Sequence, residues 1–284
     1  MAIHEQNYVR YDGPIREEGA WAVIAWTSFK VYWSFLRTKL VLLFLWLAPL
    51  FFIGMILLEY ALRGQMGAMG GAQAPSGGYI SFYLQVQVFS LAILLMASGC
   101  GVISEDLRYR TFQLYFSKPI RRADYAVGKF LSLVLLGSLV TLVPAALLAV
   151  LRAAFFVQSE FFKDVIEQMA IGFGLSGVFT LILCALVSGL SSTTSRTGYV
   201  VLSWIGVLLV PLILAGIVAI ATGDTQLASL WSLTGNMLVV SDWALVADHT
   251  FEGPIWVAPL VLTAATAAAI AALVRRISRL EGVA

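Results

Sequence analysis

Residues 104–129 read SEDLRYRTFQLYFSKPIRRADYAVGK and form the densest run of charge in the chain. Long apolar runs flank this segment on both sides. Such a segment has to lie in water or against another protein, because ionisable side chains are costly to bury in hydrocarbon. What the remainder of the chain does therefore depends on which partner this segment meets.

The composition is that of an integral membrane protein. Hydrophobic residues make up 60% of the 284 residues and charged residues only 12%, and the mean hydropathy is +0.88. Soluble globular domains carry about 25% charged residues. Cys100 and Cys184 each stand alone in an apolar run, so we expect no disulfide and no cysteine metal site. The first residues lack the pattern of a cleaved signal peptide, and we expect none.

Six apolar stretches approach the roughly 20 residues that a helix needs to cross the hydrocarbon core. They are residues 40–58, 79–103, 130–151, 165–190, 199–221 and 255–274. Before them, residues 1–39 form a polar arm and then an aromatic, basic stretch that predicts an amphipathic helix at the membrane interface. An alternative is that this stretch is only the polar start of the first span. The predicted fold is an all-α membrane protein whose six-span domain covers residues 40–274.

The distribution of basic residues predicts the orientation of the spans. Of the 18 Lys and Arg residues, 15 fall on one side of the predicted spans, and only Arg63, Arg152 and Lys163 fall on the other side. Because Lys and Arg accumulate on the cytoplasmic side, we expect both termini to be cytoplasmic. The same argument places residues 104–129 and the tail 275–284 in the cytoplasm and the long loop 222–254 outside.

The interior of the predicted spans carries almost no ionisable chemistry. Glu167 is the only Asp, Glu, Lys or Arg within them. This argues against an ion-coupled carrier, a proton pump or a voltage sensor, since those need charged groups in the membrane. Gln85 and Gln87 are expected to hydrogen-bond to neighbouring helices. Prolines within the spans predict kinks at Pro49, Pro144, Pro211 and Pro259.

A serine motif in the fourth span raises the possibility of an intramembrane protease. Residues 174–177 read GLSG, which looks like the nucleophile motif of rhomboid proteases. That reaction needs a histidine beside Ser176, and neither His4 nor His249 lies in a span. The favoured interpretation is close helix packing through the small residues Gly172, Gly174, Ser176 and Gly177.

Metal and nucleotide sites have weak support in the sequence. A metal cluster in the outer loop is an alternative to a solvated acidic loop, formed by Asp242, Asp248, His249 and Glu252. Gly128 and Lys129 lack the earlier glycine and the following Ser or Thr of a P-loop. We therefore expect no catalytic residue, cofactor site or metal site in this chain, and any ATP has to bind to another chain.

The charged segment resembles a loop of a known transporter family. Residues 103–130 are similar to the loop between the second and third spans of type-2 ABC transporter permeases, which are exporter subunits. Those proteins commonly show a Glu just beyond the cytoplasmic end of the second span, a Gly-Thr dipeptide and a short leucine-rich helix. Pro, basic residues, an aromatic residue and Gly-Lys then lead into the third span. The residues that fit this order are Glu105, Thr111, Leu114, Pro119, Arg121, Arg122, Tyr125, Gly128 and Lys129. Arg110 and Gln113 depart from it, where the family has Gly and an acidic residue.

The resemblance implies a membrane subunit that works with a separate ATPase. In that family the loop forms a coupling helix that docks into a cytoplasmic ABC ATPase, which binds ATP and Mg. It also implies a second permease copy or a paralogue, the prokaryotic plasma (inner) membrane as location, and no role for nucleic acid. Arg196, in the loop between the fourth and fifth spans, is expected to make a smaller second contact with the ATPase.

The predicted ATPase-coupling residues combine apolar anchors with flanking charges, as protein interfaces do. They are Glu105, Asp106, Leu107, Arg108, Arg110, Thr111, Phe112, Leu114, Pro119, Arg121, Arg122, Tyr125, Lys129 and Arg196. The alternative is a solvated basic loop that only sets the topology and touches anionic lipid.

The predicted function is that of a permease subunit of an ATP-driven exporter. As in relatives, the route would lie near the second and fifth spans, and its apolar lining would suit a hydrophobic or amphipathic substrate. A second hypothesis is a permease-like subunit that relays ATP-driven movement to an envelope assembly without transport.

Overall fold

The computed structural model describes residues 19–66, 78–111, 120–156, 162–245 and 253–279, and these form helices without a strand. The first half contains α1 (Ala20–Ser34), α2 (Leu36–Leu45), α3 (Leu47–Met66), α4 (Gly78–Leu94), a π-helical turn (Leu95–Gly99), α5 (Ser104–Tyr109) and α6 (Arg122–Ser138). The second half contains α7 (Leu142–Phe156), α8 (Phe162–Thr193), α9 (Thr197–Thr222), α10 (Thr225–Ser229), α11 (Leu233–Leu245) and α12 (Val257–Arg279).

Six helical stretches among the described residues are long and apolar enough to cross a membrane. They are Leu36–Leu62, Tyr79–Tyr109, Arg122–Phe155, Phe162–Thr193, Thr197–Thr222 and Val257–Ser278. Each one overlaps a predicted span, so the predicted all-α fold with six spans is confirmed at this level. Six apolar helices indicate a multi-pass membrane protein.

The fourth candidate span, α8, is the centre of the packing. It contacts α12 and α7 most extensively, and also α4, α6, α9 and α11. Residues 182–189, in its second half, are all buried. A helix that is apolar on every side is expected where neighbours cover it all round. The helix α1 lies outside this group and packs mainly along α6.

Two of the predicted kink positions coincide with interruptions of a span. The first span is broken at Trp46, three residues before Pro49, and the third at residues 139–141, shortly before Pro144. A proline has no N–H and its ring crowds the carbonyl four residues earlier, so the helix restarts with the proline in its first turn. Pro259 likewise lies in the first turn of α12, whereas α9 continues through Pro211.

A buried polar network surrounds the interruption of the third span. The Gln87 Nε2 atom of α4 donates to the Thr141 carbonyl at 2.6 Å, and the Ser176 hydroxyl donates to Gln87 Oε1 at 2.7 Å. The Thr180 hydroxyl donates to Thr141 Oγ1 at 2.8 Å. The prediction that Gln87 bonds to neighbouring helices is confirmed. Ser176 belongs to this network, and both histidines lie outside the described residues.

Small residues allow two close helix contacts on α8. A Cβ atom on Gly189 would lie 2.6 Å from the Ala269 carbonyl oxygen of α12, and one on Gly172 would lie 2.8 Å from Ile80 Cγ2 of α4. The predicted packing role of Gly172 is therefore confirmed. The same prediction is wrong for Gly174, since a Cβ there would meet nothing within 4 Å.

The helices are longer than the predicted spans, and the additional residues include charged side chains. The 32 residues of α8 measure roughly 48 Å at 1.5 Å per residue, against roughly 30 Å for the hydrocarbon core. On α7, Arg152 is 1% exposed and pairs with Glu59 of α3 at 3.6 Å. Its guanidinium also lies 5.0 Å from the ring centre of Tyr79. This charged contact joins one end of the first, second and third spans.

Gly189→Ala should destabilise the protein because the added methyl group would collide with the α12 backbone. Overpacking of this kind costs about 1–3 kcal/mol. Gly174→Ala on the same helix is the matched control, and it should be neutral or slightly stabilising because alanine favours helix. Thermal unfolding of both variants in one detergent measures the difference. Equal unfolding temperatures would contradict the close contact at Gly189.

Candidate functional site

The second candidate span is irregular over residues 95–103, between α4 and α5. A π-helical turn, Leu95–Gly99, is followed by turns up to Ile103. Side chains from other spans donate to carbonyls in and beside this stretch: Trp204 Nε1 to Ala92 at 3.1 Å and Arg37 Nη2 to Ala97 at 2.5 Å. Such turns recur at functional sites, and inside a membrane they require these replacement partners.

Ser191 of α8 connects the irregular stretch to the fourth span. Its hydroxyl oxygen accepts from the N–H groups of Ile103 and Ser104, both at 3.0 Å, and the hydroxyl donates to the Cys100 carbonyl at 2.9 Å. Ser191 is fully buried. One side chain thus replaces the backbone partners that a regular helix would supply at this point.

A second contact links the start of α5 to the start of the fifth span. The hydroxyl groups of Ser104 and Thr197 lie 3.1 Å apart. The short helix α5 therefore meets α8 through Ser191 and α9 through Thr197. It ends at Tyr109, and its C-cap residue, Arg110, has a left-handed φ of 54°.

A buried charged cluster joins α5 to the third span. Asp106 Oδ2 accepts from the Tyr125 hydroxyl at 2.6 Å and pairs with Lys129 Nζ at 2.7 Å. Tyr125 is fully buried and the Lys129 side chain is 9% exposed. These three predicted coupling residues thus hold α5 against α6 from within, and Tyr125 and Lys129 offer little surface to a partner.

Four other predicted coupling residues line one groove. We call it the arginine groove; it has a volume of about 920 Å³ and lies between the end of the second span and the start of the fifth. It is lined by Leu107, Arg108, Arg110, Ser195, Arg196, Thr197, Gly198, Tyr199 and Leu202. Arg196 thus lies beside Arg108 and Arg110 of the charged segment.

The remaining predicted coupling residues are dispersed. Glu105 and Arg121 are exposed, and Arg122 begins α6. Thr111 is partly buried, and its N–H donates to the Asp106 carbonyl at 3.1 Å. The predictions for Phe112, Leu114 and Pro119 lie outside the described residues.

An apolar cavity of about 350 Å³ lies between the second and fifth spans and the helices α10 and α11. Its lining includes Val88 and Phe89 of α4, Ala215 and Gly216 of α9, and Met237 of α11. Gln85 lines this cavity, while its neighbour Gln87 joins the buried network. The two glutamines therefore occupy different faces of α4, as their spacing predicts.

Sequence reasoning missed Ser191, Thr197 and Trp204 as residues that complete the second span. A Ser/Thr-rich stretch, residues 191–194, marks the end of the fourth span. It is compatible equally with a solvated loop, and only the fold shows which backbone groups its hydroxyls meet.

No group of three or more metal-binding side chains occurs among the described residues. Asp242, one member of the alternative metal cluster, accepts a hydrogen bond from the Ser81 hydroxyl. Asp248, His249 and Glu252, the other members, lie outside the described part of the chain.

Comparisons with known proteins find no family model that matches this chain and no matching curated protein. Neither comparison therefore tests the resemblance of residues 103–130 to a transporter loop, and that resemblance supports only a proposal.

Ser191→Ala should lower the stability of the protein by about 1–3 kcal/mol, because two buried N–H groups lose their acceptor. Ser192→Ala is the matched control, since that equally buried hydroxyl donates only to Gly189 of its own helix. Thermal unfolding in detergent compares the two variants. A Ser192→Ala effect as large as that of Ser191→Ala would contradict the bridging role of Ser191.

Asp106→Ala should destabilise the protein by about 3 kcal/mol, because it leaves the charge of Lys129 without this carboxylate in a buried site. The adjacent Glu105→Ala should change stability by less than about 0.5 kcal/mol, since Glu105 is exposed. The double variant Asp106→Leu with Lys129→Met removes both charges and should be more stable than Asp106→Ala alone. Unfolding in detergent measures all three; a double variant as unstable as the single one would contradict the charge argument.

Proposed function

We propose that the protein is the membrane-spanning subunit of an ATP-driven exporter, with ATP hydrolysed by a separate ABC ATPase chain. The observation that carries the proposal is the attachment of α5 to three spans: through Ser191 to the fourth, through Thr197 to the fifth and through Lys129 to the third. A partner that moved α5 would act on all three spans together. Such an arrangement suits a segment that transmits force from a docked ATPase.

The docking surface would consist of the exposed part of residues 105–122. Glu105 and Arg121 are accessible at its two ends. Between them, residues 112–119 carry the sequence FQLYFSKP, which offers closely spaced aromatic and leucine anchors. ATP binding would bring two ATPase subunits together and push the coupling segments of two permease copies toward each other.

The orientation and the role of α1 are part of the same proposal. With both termini in the cytoplasm, α1 would lie at the inner membrane interface. Its exposed side carries Trp21, Trp26 and Trp33, and Lys30 lies 5.3 Å from the ring centre of Trp26. Aromatic rings with basic side chains are typical of helices at the headgroup level.

The apolar cavity between the second and fifth spans would form part of the substrate route. Its lining favours hydrophobic or amphipathic molecules, since polar groups are confined to a few side chains such as Gln85 and Thr225. On α9, which forms one wall, only 6% of the most apolar 18 residues are buried. A second permease copy could cover this helix and enclose the route.

Arg121→Glu with Arg122→Glu should weaken binding of the ATPase by about tenfold, corresponding to about 1.4 kcal/mol. The double reversal puts negative charge where the proposed interface presents positive charge. The measurement is co-purification, from native membranes, of a chain with a Walker A motif, together with ATP hydrolysis by the purified complex.

Lys30→Glu with Lys39→Glu is the matched control, because both lysines are exposed and lie outside the proposed docking surface. It should leave ATPase binding unchanged. Unaltered binding in the Arg121 and Arg122 variant would contradict the docking site. A complex that hydrolyses ATP but moves no substrate across a broad panel in vesicles would favour the mechanical relay over export.

A further inference from the structure

The arginine groove gathers three positive charges that have no counter-ion among the described residues. Arg108, Arg110 and Arg196 are all exposed, and none takes part in the two described ion pairs. The guanidinium of Arg108 lies 5.4 Å from the ring centre of Tyr109, and that of Arg196 lies 5.7 Å from the ring centre of Tyr199. Residues 112–119, between α5 and α6, contain no Asp or Glu. The groove is therefore electrostatically suited to an anion.

The backbone at Arg110 ends α5 beside the groove. Arg110 is the only non-glycine residue with positive φ among the described residues. This left-handed turn caps α5, because the N–H groups of Arg110 and Thr111 both donate to the Asp106 carbonyl. Glycine adopts this conformation freely, whereas an L-residue is strained in it. The turn leaves the Arg110 side chain exposed at the groove.

The start of α9 adds to the positive potential of the groove. This helix has 26 residues, and its N-cap residue, Arg196, makes no capping hydrogen bond through its side chain. Thr197 and Gly198, the first residues of the helix, line the groove. The N–H groups at such a helix start favour phosphate oxygens, and arginine presents a fork of donors to the same group.

The apolar side of the groove identifies the kind of anion. Tyr199 and Leu202 are 55% and 66% exposed, and Leu202 lies six residues beyond Arg196, or about 9 Å along the helix. Charge therefore changes to exposed hydrocarbon over the distance that separates headgroups from acyl chains. A water-soluble protein docked on α5 would leave Leu202, within a candidate span, uncovered. A phospholipid matches both parts.

We propose that the arginine groove binds an anionic phospholipid, with its phosphate held by Arg108, Arg110 and Arg196 and its acyl chain beside Leu202. The bound lipid would join the end of the second span to the start of the fifth. This site includes Arg108 and Arg110 of the proposed docking segment, but its binding of lipid does not depend on the transporter proposal.

Native mass spectrometry of the full chain with phosphatidylglycerol tests the proposal. The triple variant Arg108→Ala, Arg110→Ala and Arg196→Ala should bind this lipid on the order of a hundredfold more weakly, because each guanidinium would lose a contact with the phosphate that contributes about a factor of five. The control, Lys30→Ala, Lys39→Ala and Arg275→Ala, removes the same charge from exposed positions outside the groove and should bind nearly as well as the wild type. Equal weakening in both would overturn the proposal.

Arg110→Gly separates binding from folding. It removes one guanidinium and the backbone strain, so affinity for phosphatidylglycerol should fall about fivefold while the unfolding temperature rises. Binding of zwitterionic phosphatidylcholine should not respond to any of these changes. Unchanged phosphatidylglycerol affinity in Arg110→Gly would overturn the proposal. The proposal would also be overturned if glycerol phosphate, which has no acyl chains, displaced phosphatidylglycerol completely. A triple variant that lost ATPase binding but kept its affinity for phosphatidylglycerol would overturn it as well.

Discussion

Backbone groups inside an apolar bundle have no water to bond with, and the structure depends on how the interrupted second and third spans meet this constraint. The second span leaves regular geometry over residues 95–103, and the third breaks at residues 139–141. Side chains from neighbouring helices form hydrogen bonds with the backbone at each interruption. Ser191 and Trp204 do so in the second span, and Gln87 does so in the third. An unsatisfied buried group costs about 1–3 kcal/mol, so these few side chains fix which helices can be neighbours.

The position of α8 follows from the same constraint. It supplies Ser191 to the second span and Thr180 to the break in the third, and its residues 182–189 are buried throughout. Gly189 lets it approach the α12 backbone, which a larger residue would prevent. Apolar packing alone would allow α8 to rotate about its axis, because its surface is apolar on every side. The hydrogen bonds specify the rotation.

The sequence predicts the number of spans. It does not predict which side chains bond to the backbone where a span is interrupted. Apolar length locates all six candidate spans, because roughly 20 residues are needed to cross the hydrocarbon core. The breaks near Pro49 and Pro144 were also predictable, since proline acts locally. The partners of the irregular second span were not, because Ser191 lies 88 residues from Ile103 and a serine has many possible roles. Gly174 was misassigned because residue type does not reveal which face of a helix meets a neighbour.

The sequence identifies the segment that forms the candidate site, but it does not show which contacts the residues of that segment make. The charge of residues 104–129 stands out from the apolar chain, but sequence does not separate charges that bind inward from those that face outward. Asp106 and Lys129 pair inside the protein, whereas Arg108 and Arg110 line a groove with Arg196. The inward-facing and outward-facing charges lie on different sides of α5, because one side of this helix lies against α6 and α8 and another side lies toward α9.

These contacts also set how α5 could move. A hydrogen bond contributes about 1 kcal/mol net, so detaching Ser104 from Ser191 and Thr197 would cost a few kcal/mol. Detaching Asp106 from Lys129 would cost more, because both charges would have to be solvated or left buried. A force on α5 would therefore be transmitted most strongly to the third span through α6, and more weakly to the fourth and fifth spans through α8 and α9.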